Sequence, residues 1–213
     1  MKLITMVCTV CAVLNSTALF GQAALAKGLN EAGLRSLIDK PTVITSSVQE
    51  KPKTADGKVY FETSSDAHVV SSQPIEKIYA VLNDFANYPK YFSGSKKVEV
   101  LSSSNEGKLV KATAGAALIT IIYVYQQTEP LNSAAEHHIV RQGINKDSDE
   151  RMQNMHTEYY VKTVTIDGKP YTYLRILDKV DYLSGVVGNY MKNNNEKSQK
   201  SGLQDIIKAA SKK

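Results

Sequence analysis

The chain has 213 residues, a formal net charge of +5 at pH 7, and 2 cysteines but no tryptophan. This length suits one domain with a sizeable core, and the modest basic excess indicates a solvated basic face. We therefore predict no nucleic-acid partner, while clustered lysines leave transient contact with an anionic membrane surface open.

The first 26 residues have the three parts of a secretory signal peptide. Lys2 supplies a positive start, an apolar run extends from Leu3 to Leu14, and small residues end in Ala24-Leu25-Ala26. The apolar run is shorter than the roughly 18 residues that a membrane-spanning helix needs. We predict cleavage after Ala26 and a periplasmic or secreted bacterial protein.

Both cysteines, Cys8 and Cys11, fall inside that predicted leader. The mature chain would then contain no thiol, which excludes a disulfide framework, a thiolate zinc site and a cysteine nucleophile. The single Asn-x-Ser/Thr triplet, Asn15-Ser16-Thr17, also lies in the leader. A bacterial periplasm therefore fits better than a eukaryotic secretory route.

Residues 27–57 are predicted to form a short helix and a linker ahead of the folded domain. Four apolar residues have helical spacing and precede Pro41: Leu29, Leu34, Leu37 and Ile38. From Ile44 to Lys58 the chain is rich in Ser, Thr, Lys and Asp and shows no periodicity. Such a composition indicates an irregular lead-in.

The folded domain is predicted to span residues 58–213. It begins with a β-rich run from Lys58 that is expected to continue to Ser71. A helix with one apolar face then starts at Pro74 and is broken by Asn87-Tyr88-Pro89. Because a second helical turn is expected around Pro89 to Phe92, two short helices follow the first strand.

The sequence after these helices is mostly strand. Polar turns separate six runs of β-forming residues, at 97–101, 109–114, 118–128, 136–144, 156–166 and 171–182. Sequential strands joined by short turns indicate an antiparallel sheet. The run from Ile119 to Gln127 is apolar on both faces, so we expect a central strand that is covered on each side.

The C-terminal region, residues 186–210, is predicted to be helical but broken. One apolar group comprises Val186, Val187, Tyr190 and Met191. A second group projects to nearly the opposite side at about 100° per residue: Leu203, Ile206, Ile207 and Ala210. Since one straight helix would not bury both groups, we expect a break between Asn193 and Gly202.

The order of elements and one stretch of sequence carry a family likeness. Residues 72–101 resemble the opening of the START/Bet v 1-like (SRPBCC) superfamily, also called the polyketide cyclase/dehydrase and lipid transport group. The matching positions are Pro74, Leu82, Asp84, Tyr88, Pro89, Phe92 and Val98 to Leu101. The resemblance implies an α+β helix-grip fold, in which a curved antiparallel β-sheet wraps around a C-terminal helix. It also implies a cavity between them for lipids, sterols or polyketides.

The aromatic composition suits such a cavity. The chain has 12 tyrosines against 4 phenylalanines, so most aromatic side chains combine an apolar body with a polar tip. The candidate ligand-binding residues are Tyr79, Phe85, Tyr88, Phe92, Tyr123, Tyr125, Tyr160 and Tyr173. Because side chains alternate along a strand, only one tyrosine of an adjacent pair faces inward, and the sequence leaves open which.

Motifs for catalysis and for metal binding are weak. The adjacent residues His137 and His138 point to opposite faces of a strand, so we predict no metal site and no cofactor. His156 and Glu158 share one strand face and would form an acid/base pair if that face lined the cavity. No nucleophile elbow, phosphate-binding loop or dinucleotide fingerprint is present, and no catalytic residue is predicted.

Three hypotheses for function follow. The leading one is an exported, monomeric, non-enzymatic binding or transfer protein that holds a lipid-like or other apolar molecule between the sheet and the C-terminal helix. The main alternative is a cyclase or aromatase, which needs a polar pair such as His156 and Glu158 in that cavity. A protein-binding adaptor is the third, and it predicts a filled core with an exposed apolar patch.

Overall fold

The computed structural model of the chain describes residues 29–115 and 119–213. The leader predicted for residues 1–26, with both cysteines, lies outside the described residues. The helices are α1 (Glu31–Ser36), α2 (Ile75–Asn83), α3 (Tyr88–Tyr91) and α4 (Val186–Ala210). The strands are β1 (Thr42–Glu50), β2 (Tyr60–Ser71), β3 (Ser95–Ser104), β4 (Gly107–Ala114), β5 (Ile121–Asn132), β6 (Glu136–Gly143), β7 (Met152–Ile166) and β8 (Lys169–Leu183). Among the described residues, no helix has both the length and the hydropathy of a membrane span.

All eight strands form one antiparallel sheet in the order β1-β2-β8-β7-β6-β5-β4-β3. Consecutive strands from β3 to β8 are neighbours in the sheet, and β8 then pairs with β2. The helices α2 and α3 lie in the connection between β2 and β3. The result is the curved sheet and C-terminal helix of a helix-grip fold, as the resemblance implied.

The main core lies between α4, α2 and the face of the sheet that we call the inner face. The predicted apolar stripe of α2 is buried in it through Ile75, Ile78, Val81 and Leu82. The end of α4 contributes Leu203 and Ile206, which pack with sheet residues such as Ile139 and Leu174. Both helices therefore use their apolar faces to hold one side of the sheet.

Helix α1 packs on the opposite face of the sheet, which we call the outer face. Leu34 of the helix and Leu37, which directly follows it, form a small separate core with Val70, Ile166 and Tyr173. These sheet residues alternate with inward-facing neighbours, so they point outward. The short docking helix predicted near residues 29–38 is thus present.

Residues 44–50 are not the irregular linker that the sequence indicated. Thr42–Glu50 form the edge strand β1, which pairs with β2 from Thr42 opposite His68 to Glu50 opposite Phe61. Most of this strand is exposed, so it carries no alternation of apolar and polar residues that would mark it. The irregular connection is confined to residues 51–59.

Strand β5 is an interior strand, flanked by β4 and β6, but its outer face is only partly covered. Val124 is buried beside the turn of residues 144–149, which is hydrogen-bonded to β5. Ile122, two residues earlier on the same face, is 39% exposed. The expectation of cover on both sides is therefore correct at Val124 and wrong at Ile122.

Helix α4 runs without a break from Val186 to Ala210, so the predicted break between Asn193 and Gly202 is wrong. Polar residues continue its sheet-facing stripe: Asn195 is buried, and its side-chain amide donates to Ser46 Oγ and to the Ser64 carbonyl at 3.1 and 3.2 Å. Val186 is 74% exposed, so the first apolar group is not fully buried. One continuous helix is therefore possible, because the residue buried in its middle is polar and has hydrogen-bond partners.

Candidate functional site

A cavity of about 330 Å³ lies between the inner face of the sheet and α4. Its lining is mainly apolar and aromatic, and includes Val98, Ala112, Met152, Met155, Ile176, Val180, Tyr182 and Ile206. Its polar lining residues include Ser95, Arg141, Thr157, Asp178 and Gln199. The cavity reaches the surface beside Gly94, which is exposed. A mostly apolar hollow with a few polar groups is the usual form of a small-molecule site.

Four of the eight predicted ligand-binding residues line this cavity: Tyr88, Phe92, Tyr123 and Tyr125. Tyr123 and Tyr125 are two residues apart on β5, so the alternation of a strand places both on the inner face. Their rings stack with centroids 6.0 Å apart. Their contact with a ligand stays a prediction.

Two of the other four lie near the cavity but not in its wall. Phe85 is buried behind Tyr88, with ring centroids 5.4 Å apart. Tyr79 lines a separate groove of about 360 Å³, most of whose lining residues are polar, and donates its hydroxyl hydrogen to Glu129 at 2.6 Å. Neither residue is part of the cavity wall, and its contact with a ligand stays a prediction.

The remaining two predicted residues lie on the outer face of the sheet. Tyr173 is buried under α1 and its hydroxyl lies 2.6 Å from His68 Nδ1. Tyr160 donates to Glu158 at 2.5 Å and stacks on His138. The inward-facing neighbour of Tyr160 is Tyr159, which lines the cavity.

The predicted acid/base pair also points away from the cavity. Strand β7 has a bulge between Gln153 and His156, and beyond it Tyr159 faces inward. His156 and Glu158 therefore face outward. This geometry removes the pair from the enzymatic alternative.

Glu158 is instead the centre of an outer-face hydrogen-bond cluster. Its carboxylate lies 2.8 Å from both His138 Nε2 and His156 Nε2. Burial acts to raise the pKa of Glu158. The hydrogen bonds from Tyr160, His156 and His138 outweigh burial and lower this pKa to about 2. Among residues 29–115 and 119–213, no group of His, Cys, Asp or Glu side chains is arranged to hold a metal ion.

Arg141, on β6, is a charged cavity residue that the sequence analysis did not single out. Its side chain lines the cavity although the residue is only 7% exposed. The guanidinium donates to Gln127 Oε1, Tyr159 OH, the Leu82 carbonyl and Tyr88 OH at 2.9, 3.1, 2.9 and 2.6 Å. These bonds tie the middle of the sheet to the end of α2 and to α3.

Aromatic rings complete the surroundings of this guanidinium. Its central carbon lies 4.7 Å from the ring centroid of Tyr159 and 5.4 Å from that of Tyr125. The rings of Tyr88 and Phe85 lie at 5.6 and 5.8 Å. Cation–π attraction of this kind stabilises a desolvated cation, but it does not neutralise its charge.

Asp178, on β8, is the second charged group in the cavity wall. It accepts hydrogen bonds from Thr157 Oγ1 at 2.6 Å and from Gln199 Nε2 at 2.9 Å. Burial raises the pKa of Asp178, and these two hydrogen bonds offset the shift only in part. Since Gln199 belongs to α4, its bond joins the helix to the sheet across the cavity.

Comparison with known families and structures agrees with this geometry. The sequence profile of a family described as polyketide cyclase/dehydrase and lipid transport matches residues 71–176. The chain belongs to the START/Bet v 1-like superfamily. A search of curated proteins found no significant match.

Several solved structures share the START-like fold. A START superfamily protein from Mycobacterium smegmatis has a TM-score of 0.55 and 14% identity, over 70% of this chain and 97% of that one. A STAR-related lipid transfer protein from Xanthomonas axonopodis has a TM-score of 0.56 and 9% identity, over 78% and 98%. Human STARD10 has a TM-score of 0.55 and 14% identity, over 86% and 80%. Identities this low show the fold alone.

Replacing Asp178 with Asn in this START-like domain is expected to change how stability depends on pH. The pKa of Asp178 lies above its ordinary value of 3.8 in the folded state, so its ionisation favours unfolding. Stability is therefore lost as pH rises through the raised pKa, and regained as pH falls toward 3.8. Asp178→Asn removes this pH-dependent loss of stability. In urea unfolding, the free energy of unfolding of the variant relative to that of the wild type should therefore be higher at pH 8 than at pH 4. An offset between them that is independent of pH would contradict the prediction.

Proposed function

We propose that this protein is an exported, non-enzymatic carrier that binds a lipid-like or other apolar small molecule in the cavity under α4. The observation that carries the proposal is the cavity of about 330 Å³ with mainly apolar and aromatic walls. Burying apolar ligand surface there supplies about 25 cal/mol per Å². The family description includes lipid transport, and the similar Xanthomonas protein is named a lipid transfer protein.

The cavity volume limits the size of the enclosed ligand. At about 30 Å³ for each water-sized group, 330 Å³ holds about eleven such groups. This is room for a medium-length alkyl chain or a small ring system. A longer molecule would have to extend out of the cavity into solvent.

The cellular setting of the proposal rests on different residues. The positive start, apolar run and small-residue end of residues 1–26 support export to the periplasm or the medium. We also propose a monomer that touches anionic membranes transiently. Two apolar side chains at the start of α4, Val186 and Tyr190, are exposed, and Lys192 follows two residues after Tyr190 in the sequence. These residues support such contact.

A catalytic function is the second candidate, and one observation favours it. Asp178 is a carboxyl group with a raised pKa in the wall of the same cavity. A carboxyl group that stays protonated up to a higher pH than usual suits general acid catalysis on a cyclising substrate. The third hypothesis, a protein-binding adaptor, predicted a filled core, so a cavity of this size argues against it.

Native mass spectrometry followed by organic extraction tests the proposal. The full chain is expressed in a bacterium with its leader and purified from the periplasm. We expect the mass of a mature chain that begins at Lys27. We also expect a co-purifying small molecule that organic solvent releases. Protein that is consistently empty, or that retains a polypeptide, would contradict carriage. A released molecule that the protein converts chemically would favour the enzyme instead.

A further inference from the structure

Arg141 places a permanent positive charge in the wall of a mainly apolar cavity. A guanidinium stays protonated in proteins, so burial does not neutralise it by loss of a proton. Its four hydrogen-bond acceptors, on Gln127, Tyr159, Leu82 and Tyr88, are all neutral oxygens. No carboxylate in the described part of the chain forms an ion pair with it. A buried charge of this kind is unfavourable until a counter-ion reaches it.

The guanidinium of Arg141 is held in place by hydrogen bonds, but not all of its N–H donors have an acceptor. It has five N–H groups, and the four hydrogen bonds use one on Nε, one on Nη1 and two on Nη2. The second N–H of Nη1 has no acceptor among the described residues. Because Arg141 is part of the cavity wall, a bound molecule that reaches the guanidinium would find this donor without a partner among the described residues.

Asp178 does not act as the missing counter-ion. Its carboxylate is engaged by Thr157 and Gln199. Its raised pKa has burial as the main cause, and Arg141 is not among the groups that shift it. The positive charge at Arg141 is therefore uncompensated within the described cavity wall.

We propose that the ligand itself supplies the counter-ion. The ligand is then an anionic amphiphile, whose oxyanion accepts from Arg141 while its apolar body lies along Tyr123, Tyr125, Met152 and Met155. A guanidinium fork matches the oxygens of a carboxylate or a phosphate, so either group meets the requirement. The inference rests on the proposed carrier function and narrows its ligand class.

A panel of ten-carbon compounds tests the inference, since their size suits the cavity. Decanoate, decyl phosphate, decan-1-ol and decyltrimethylammonium are titrated into the purified full chain by calorimetry, below micelle-forming concentrations. A charge-assisted hydrogen bond corresponds to about a tenfold or greater preference for an anion over the neutral alcohol. We expect that preference, with the ammonium compound binding weakest. The tighter of the two anions identifies carboxylate or phosphate as the oxyanion.

Arg141→Gln provides the matched variant, because an amide keeps hydrogen-bonding capacity but carries no charge. Its preference for decanoate over decanol, taken as the ratio of the two affinities of the same variant, should fall to within about threefold. Arg35→Gln is the control, since it makes the same charge change on α1, on the outer face, and should retain the full preference. If Arg141→Gln does not fold, the selectivity of the wild type alone decides.

Three outcomes overturn the inference, and they separate it from the carrier proposal. Equal affinity of the wild type for decanoate and decanol would remove the anion requirement while leaving apolar carriage intact. Binding of no member of the panel would remove both. Retention of the anion preference in folded Arg141→Gln would place the counter-charge elsewhere.

Discussion

Ligand uptake should fall by at least about fiftyfold when Ala112 is replaced with phenylalanine. Ala112 lies on β4 and its side chain lines the cavity. A benzyl group at this position occupies volume that the apolar body of the ligand needs. Excluding about 100 Å² of ligand surface removes roughly 2.5 kcal/mol of binding free energy, which corresponds to this change in Kd. Calorimetric titration with decanoate, or with the molecule extracted from the native protein, measures it.

Thr113→Phe is the matched control for Ala112→Phe. Thr113 is the next residue of β4, so its side chain points to the outer face. It should bind ligand as the wild type does. Ala112→Phe is expected to lose no more than about 1–3 kcal/mol of stability through local overpacking, which urea unfolding checks. A folded Ala112→Phe variant with wild-type affinity would place the ligand outside this cavity.

The sequence predicted the elements whose apolar residues repeat with a regular period. The stripe on α2 and the strand runs of β6, β7 and β8 face the main core, so burial imposed their pattern. Strand β1 lacks such a pattern because it is an exposed edge strand held by backbone hydrogen bonds to β2. Local sequence does not record pairing of this kind.

The course of α4 could not be predicted, for a related reason. Asn195 and Gln199 lie on its buried side, where apolar residues were expected. Each is satisfied by a partner far away in sequence, Asn195 by Ser46 and Ser64 and Gln199 by Asp178. A polar residue in the middle of a helix indicates exposure until those partners are known.

The cavity residues depended on which side of each strand faces inward. The sequence alone did not show whether Tyr159 or Tyr160 faces inward. The bulge between Gln153 and His156 determines which of the two lies on the inner face of the sheet. Arg141 was ambiguous in the same way, because β6 offers apolar residues on both faces, Ile139 inward and Val140 outward. Only the three-dimensional pairing of β6 with β5 and β7 places Arg141 in the cavity wall.

Replacing Leu203 with alanine is expected to lower the free energy of unfolding by about 2–5 kcal/mol. Leu203 is fully buried where α4 meets α2 and the inner face of the sheet. Truncation removes apolar contacts and leaves a void that the surrounding helices and strands fill only in part. Urea unfolding followed by circular dichroism measures the loss.

Val186→Ala is the control for Leu203→Ala, because it truncates an apolar residue of the same helix that is mostly exposed. Its effect should stay within about 0.5 kcal/mol. Equal losses in the two variants would mean that α4 is not docked through its C-terminal half.

The same helix places Gln199 and Gly202 in the cavity wall. Since α4 is one continuous element, loosening it at Leu203 should also open the cavity and speed release of the ligand, which stopped-flow displacement can measure.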